Sequence, residues 1–200
     1  MRFIGDVHGK WNKYKSIAET AEKSIQVGDF GIGFGEDSTQ TKFIDDFMAD
    51  GNHRFIRGNH DNLDVCAERP GFIADAVVED DMMFVGGGLS IDKEFRTANV
   101  NWWENEELSY SEMKNAISVY DHAKPRIMVT HDAPEDIIRL MVKSYRRDYH
   151  SLTRQGFAAM FRVHQPEYWI FGHWHRSMKF EYGDTTFICL NELEFMDIDL

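Results

Sequence analysis

Cysteine is nearly absent: Cys66 and Cys189 are the only two in 200 residues, far apart and in no metal-ligand spacing. That excludes a disulfide-stapled scaffold and a thiolate metal site, and it makes two buried thiols in a reducing cytoplasm the expectation. No apolar run approaches the ~18 residues that cross a bilayer, so no membrane span is expected. The start, Met1 to Asp6, meets an acidic residue too early for a secretory leader. Basic residues are scarce, with 22 Lys and Arg against 34 Asp and Glu and a formal net charge of −12. Such a surface does not coat nucleic acid, because that binding is driven by basic side chains releasing counterions. A small nucleotide held through metal ions stays open, since acids that sit on cations no longer count as negative. P-loop lysine, nucleophile elbow and Rossmann fingerprint are all missing. So are internal repeats, low-complexity tracts and Pro/Gly/Ser linkers, and the chain reads as one domain over residues 1–200.

What is present is a normal globular composition, 42% hydrophobic and 28% charged, in a chain long enough for one sizeable core. Short β-prone runs alternate with helical stretches. Arg2-Phe3-Ile4 precedes a helix expected over Trp11–Lys23, and Ser24–Val27 precedes one over about Glu36–Asp50. His53–Ile56 is a third strand, and Arg126–Val129 and Tyr168–Phe171 each follow a helical segment, about Ser109–His122 and Ser151–His164. Alternation of this kind indicates an α/β fold with parallel pairing. Phe72-Ile73, Ala76–Val78 and Met82–Val85 are spaced as a meander instead, as is the stretch from Ser177 to Ile198 with its Tyr182-Gly183-Asp184 turn signal. Two meander patches inside an α/β pattern suggest two packed sheets with helices outside.

Each of the five strands that adjoin helices is followed by ligand-type residues. These loops are Gly5-Asp6-Val7-His8-Gly9, Gly28-Asp29-Phe30-Gly31, Gly58-Asn59-His60-Asp61, Thr130-His131-Asp132 and Gly172-His173-Trp174-His175. Open α/β sheets place their sites at the carboxyl ends of strands, so strands lying side by side would bring the five loops to one edge. A single Asp-x-His or His-x-His is ordinarily a surface turn, but five unrelated loops making the same choice is a different matter. Carboxylate, imidazole and amide oxygen without thiolate suit hard and borderline divalent ions. Asp6 and His8, two apart in an extended chain, point to one side and can grip one ion. The candidates suffice for two ions sharing a carboxylate, spaced the ~3.5–4 Å that serves phosphoryl transfer to water.

In that order, Gly-Asp-x-His, Gly-Asp, Gly-Asn-His-Asp, a lone His and Gly-His-x-His resemble the calcineurin-like metallophosphoesterases, from Asp6 to His175. The resemblance implies a two-sheet β-sandwich flanked by helices and a metal-dependent phosphoesterase. It implies two divalent ions (Mn, Fe or Zn, with Mn favoured) and a small phosphate-ester substrate. Asp6, His8 and His175 would hold one metal, Asn59, His131 and His173 the other, and Asp29 would bridge. His60 would protonate the leaving oxygen or bind phosphate. The second motif departs from the protein-phosphatase branch: Gly28-Asp29-Phe30-Gly31 lacks the second Asp and the Arg that grips a monoester. A phosphodiester, nucleotide-type, is therefore favoured over a monoester or phosphoprotein. Asp61, Asp64 and Asp132 are all candidates to orient His60, and Arg57 and Arg96 are candidates for phosphate contact. Gly86–Lys93 with Asn101-Trp102-Trp103 resembles bacterial and phage-type members and suggests a loop above the site.

Elsewhere the bland reading leads. His53, His122, His150 and His164 are read as ordinary histidines, Trp102 and Trp103 as loop anchors ahead of base-stacking platforms, and Gly33 and Gly35 as turn formers. The basic cluster Arg139–Arg147 is either a solvated helix face or a phosphate-facing patch, and it is all that speaks for a nuclease. A non-catalytic scaffold of this fold is the remaining alternative, and the complete ligand set weighs against it.

Overall fold

The computed structural model describes residues 1–33, 38–142 and 150–199. Two sheets lie face to face. In the first, β1 (Arg2–Ile4), β2 (Ser24–Gln26) and β3 (His53–Phe55) run parallel, and β10 (Phe195–Asp197) adds antiparallel to β1. In the second, β5 (Met82–Val85), β6 (Ile127–Thr130), β7 (Tyr168–Phe171) and β9 (Thr185–Cys189) are parallel. The edges β4 (Val77–Glu79) and β8 (Met178–Tyr182) are antiparallel to their neighbours. Helices α1 (Trp11–Ala18) and α2 (Ser38–Met48) join the strands of the first sheet. Helices α4 (Tyr110–Ala123), α5 (Glu135–Met141) and α6 (Leu152–Val163) join those of the second, and a single turn, α3 (Leu63–Cys66), follows β3.

Side-chain alternation along each strand makes the layers. Phe3 packs between the sheets with Ile25, Phe84, Val129 and Ile188, while its neighbour Ile4 packs outward with Trp11, Tyr14 and Ile44. In β5, Met82 and Phe84 face the first sheet, whereas Met83 and Val85 face Met113 and Tyr120 of α4 and Phe157 of α6. Strands buried on both faces read as near-continuous apolar runs, as Met82–Val85 and Ile127–Val129 do. Each such Phe or Ile contributes about 1.5–3 kcal/mol by leaving water. Helix α4 starts on a capping box in which Ser109 and Glu112 satisfy each other's backbone N–H, and α6 starts on the Ser151 hydroxyl. The two-sheet, helix-flanked architecture is the expected one.

Four details differ from the sequence reading. Helix α1 ends at Ala18 rather than Lys23, because Arg2 Nη1 (2.8 Å) and the Thr20 hydroxyl (2.8 Å) both take the Ile17 carbonyl. Phe72 and Ile73 form only a bridge to Phe55, not a strand. The C-terminal run is not one meander: β8 and β9 form a hairpin in the second sheet, but β10 crosses to the first. Arg2 holds it there, donating to both Asp197 carboxylate oxygens (2.9 and 2.8 Å). Finally, the five ligand-bearing strands do not lie in one sheet. Three belong to the first and two to the second, so their carboxyl-end loops converge across the gap between the sheets. The start of the expected second helix (residues 36 and 37), Gly35 and residues 143–147 of the basic cluster lie outside the described residues.

Candidate metal centre

The loop after β1 turns sharply, with His8 at φ 48°. Asp6 and His8 therefore meet through a turn and not through the extended geometry expected of them. Asp29 (φ 56°), His173 (φ 66°) and His175 (φ 48°) are also left-handed. Four of the seven candidate ligands thus occupy a conformation that non-glycine residues rarely adopt, at a cost of order 1–3 kcal/mol each. Such strain persists only where the surroundings hold it, and here the holding contacts are visible. A Cβ at Gly58 would lie 2.0 Å from Asp29 Oδ1, and one at Gly172 would lie 2.2 Å from Asp6 Oδ1. Glycine at Gly58 lets two loops of the first sheet approach, and glycine at Gly172 lets a loop of the second sheet approach the first.

Asp61 does the rest of the holding. It is buried, and its Oδ1 accepts from the Gly31 (2.7 Å) and Ile32 (2.9 Å) amides, its Oδ2 from those of Phe30 (2.9 Å) and Gly58 (2.7 Å). One carboxylate thus ties the loop of Asp29 to the loop of Asn59 and His60. Asp61 spends its oxygens on backbone, Asp64 is at the start of α3, and Asp132 accepts from Arg154 Nε (2.6 Å) and Trp174 Nε1 (2.8 Å). Two other groups lie at the His60 ring: Asp29, whose Oδ2 is 3.9 Å from His60 Nε2, and Arg96, whose Nη2 lies 3.3 Å from the same nitrogen and which is itself gripped by both oxygens of Asp92.

The donor atoms gather in two sets. In one, His8 Nε2 and His175 Nε2 are 3.0 Å apart, and Asp6 Oδ2 lies 3.0 Å from His175 Nε2 and 3.8 Å from His8 Nε2. Asp6 Oδ2 is fully buried yet receives no hydrogen bond of acceptable geometry. In the other, Asn59 Oδ1 lies 3.0 Å from His131 Nε2 and 2.9 Å from His173 Nδ1, and those two ring nitrogens are 3.2 Å apart. His131 Nδ1 donates to the Val27 carbonyl (2.9 Å), so a neutral His131 presents a lone pair at Nε2 to the lone pair of Asn59 Oδ1. Asp29 sits between the sets, with Oδ1 3.4 Å from His131 Nε2 and Oδ2 3.9 Å from His8 Nδ1. The backbone N–H of His173 donates to Asp6 Oδ1 (3.1 Å) and links them.

Facing lone pairs repel unless a cation lies between them, and the proton balance carries the same message. Burial disfavours a charge on His131, but Asp29 and Asp6 outweigh it and raise the imidazole to about 10. Burial would likewise raise Asp29, but His131, His60 and His8 hold it below the ordinary carboxylate range. Burial lowers His173 to about 4, against the opposing pull of Asp132. A proton at His131 thus supplies positive charge that a metal would otherwise bring. By donor chemistry, orphaned oxygen and charge, these residues fit divalent cations.

Two other sequence candidates separate here. Arg57 is 1% exposed. Its guanidinium donates to Asp75 (2.9 Å) and to the carbonyls of Asn105 (3.0 Å) and Glu106 (2.9 Å), which makes it a wall of the site. Arg96 lies at the rim beside His60. Trp103 Nε1 donates to the His60 carbonyl (3.1 Å), an anchoring role. His53, hydrogen-bonded to Ser24 and stacked on Phe47, and His164, on the Pro125 carbonyl, lie outside the centre. Arg139 pairs with Glu135 on the surface of α5. Unforeseen were Ser90, whose hydroxyl accepts from Asn59 Nδ2 (2.9 Å), and Glu106 behind it, whose Oε1 accepts from the Ser90 amide (3.2 Å). The glycine run before Ser90 was the signal available.

A family model described as calcineurin-like phosphoesterase matches residues 2–177. No curated protein matches the chain. Among solved structures, the chain is similar to GAP50, the anchor in the inner membrane complex of Plasmodium. The identity is 12%, the TM-score 0.50, and 96% of this chain and 71% of that one are covered. A match to the sulfate thiohydrolase SoxB of Thermus thermophilus, solved with glycerol, has 11% identity and a TM-score of 0.43. It covers 95% of this chain and 38% of that one.

Proposed function

The chain belongs to the calcineurin-like phosphoesterases, metal-dependent hydrolases of phosphate esters, and from that premise we propose a two-metal phosphodiesterase acting on small, nucleotide-type diesters. Asp6, His8 and His175 would hold one cation, Asn59, His131 and His173 the other, with Asp29 between. Oxygen and imidazole donors without thiolate suit Mn, Fe or Zn alike, and manganese is kept as the favoured ion on the family resemblance alone. The observation that carries this reading is the convergence of Asn59 Oδ1, His131 Nε2 and His173 Nδ1 within 3.2 Å of one another beside Asp29, an acceptor-type cluster that only a proton or a cation holds together.

When bound, two divalent cations supply Lewis-acid charge to a phosphoryl oxygen and acidify a water into the neutral range. The remaining steps fall to side chains of this protein. Asp29 keeps the two ligand sets in register, and Asp61 keeps Asp29 in register. His60, partly exposed at the rim, would give a proton to the leaving oxygen. Arg96 beside it presents a guanidinium toward an incoming phosphate.

Diester preference follows from charge. A monoester dianion needs more fixed positive charge than a diester monoanion, and such charge helps only if preorganised. Arg57 is committed to the wall, and Arg96 is half neutralised by its two bonds to Asp92 (2.7 Å each). The test is kcat/KM on bis-nitrophenyl phosphate, nitrophenyl phosphate and phosphoserine peptides under one metal. Diester turnover at least comparable to monoester turnover, with little on peptides, is the expected result. Strong preference for phosphopeptides would restore the phosphomonoesterase reading.

A further inference from the structure

A metal ligand with a second polar atom is only as well aimed as that second atom is held. His131 meets this requirement through its Nδ1–H, fixed on the Val27 carbonyl. Asn59 has the harder problem, because its carboxamide is nearly symmetrical in shape. Rotated by half a turn it would present an NH2 to the cation in place of an oxygen, and sterics alone would not prevent it. Burial (2% exposed) removes the water that could otherwise discriminate. What discriminates is Ser90, whose Oγ accepts from Asn59 Nδ2 at 2.9 Å. A hydroxyl can also donate, so accepting alone does not make Ser90 a reader of the amide's orientation. Its proton must be engaged elsewhere.

Glu106 provides that engagement. Ser90 and Glu106 are each 3% exposed, and Glu106 Oε1 accepts from the Ser90 amide at 3.2 Å, which brings the carboxyl beside the hydroxyl. Glu106 Oε2 is buried and meets no donor of acceptable geometry, so it has acceptor capacity to spare. Burial raises the Glu106 carboxyl, and the Ser90 and Trp102 side chains pull it back only in part. Glu106 is itself fixed, because its carbonyl accepts from Gly88 N (3.1 Å) and from Arg57 Nη1 (2.9 Å). With the Ser90 hydroxyl turned to that neighbouring carboxyl the polarity would run one way: carboxyl accepts from hydroxyl, hydroxyl accepts from amide N–H, and amide oxygen faces the cation.

We propose that Ser90 and Glu106 form a positioning relay that locks Asn59 with its oxygen toward the second metal, and that the loop Gly86–Ser90 exists to deliver it. This rests on the ligand assignment above. The relay acts on one ion of the two: among the described residues the hydrogen bonds of Ser90 run to Asn59 and Glu106, and none to Asp6, His8 or His175.

The experiment titrates Mn(II) into metal-free protein and reads two binding events by calorimetry. Electron paramagnetic resonance separates the spin-coupled pair from an isolated ion. Ser90→Ala should weaken the second event by about 10–100-fold, leave the first unchanged, and convert the coupled spectrum to that of a single ion at equimolar loading. Ser90→Thr should restore both. Circular dichroism establishes that each variant is folded, and Glu106→Gln, which keeps size but can turn an N–H toward the hydroxyl, gives an independent second variant. Asn59→Ala serves as reference. If it weakens the second event and Ser90→Ala does not, the relay is wrong and the ligand set stands. If Asn59→Ala changes neither event, the ligand assignment falls and the relay with it. Equal loss of both events in Ser90→Ala would also overturn the proposal, since that is general loosening.

Discussion

Asp61→Asn is the substitution on which the architecture of the centre bears most heavily. The carboxylate accepts four backbone N–H groups, two on each oxygen, at 2.7–2.9 Å. Asparagine keeps one oxygen and so keeps two of these bonds, now to a neutral acceptor. The other two amides face an NH2 and are left unsatisfied in a buried place. Hydrogen bonds to a charged group contribute about 1.5–3 kcal/mol each, so the loss of two amounts to roughly 3–6 kcal/mol. Part of this is offset, because burial and then the neighbouring Asp29 charge disfavour the Asp61 carboxylate and raise its pKa despite the four bonds. The lower end, about 3 kcal/mol, is therefore expected, which for a chain of this size corresponds to a fall in Tm of roughly 6–12 °C. Differential scanning calorimetry of the metal-free protein measures it without confusion from ligand binding. A Tm within about 2 °C of wild type would refute the idea that this carboxylate pins the two loops together.

Three further outcomes follow from the same geometry. His60→Ala should leave metal content near normal while lowering kcat by roughly 10²–10⁴-fold, less for nitrophenolate than for alkoxide leaving groups; equal losses for both would point to phosphate positioning. Asp29→Asn and His131→Ala should each lose bound metal and turnover together, and elemental analysis showing full occupancy in both would sink the ligand assignment. In the metal-free protein the His131 imidazole is raised to about 10, so at neutral pH it carries a proton that a ligand nitrogen must lose. Metal binding should therefore release protons and strengthen as pH rises. Calorimetry in buffers of differing ionisation enthalpy checks this, and identical apparent heats would contradict it.

The candidate ligands were legible because each sits within a few residues of a strand end, in a loop whose chemistry is local. Asp6, His8, Asp29, Asn59, His131, His173 and His175 could be read one loop at a time, and the structure gathers them. Roles that depend on distant partners were not legible. Asp61 looked like a possible partner of His60 because they are adjacent in sequence, yet its bonds go mostly to residues thirty positions earlier. Arg57 was a candidate for phosphate contact that no motif placed; three acceptors from other segments make its burial tolerable. The crossing of β10 to the first sheet had no signature, since an apolar alternation fits either sheet equally. Ser90 lies thirty-one positions from the amide it holds; the resemblance of Gly86–Lys93 suggested a loop above the site, but nothing singled out this hydroxyl.

The most direct test of the two-metal account is a single titration of metal-free protein with Mn(II), following bound metal and bis-nitrophenyl phosphate hydrolysis together. Activity is predicted to stay near zero through the first equivalent and to rise with the second, reaching its plateau at two ions per chain. Full activity at one equivalent, or in the metal-free protein, would contradict it.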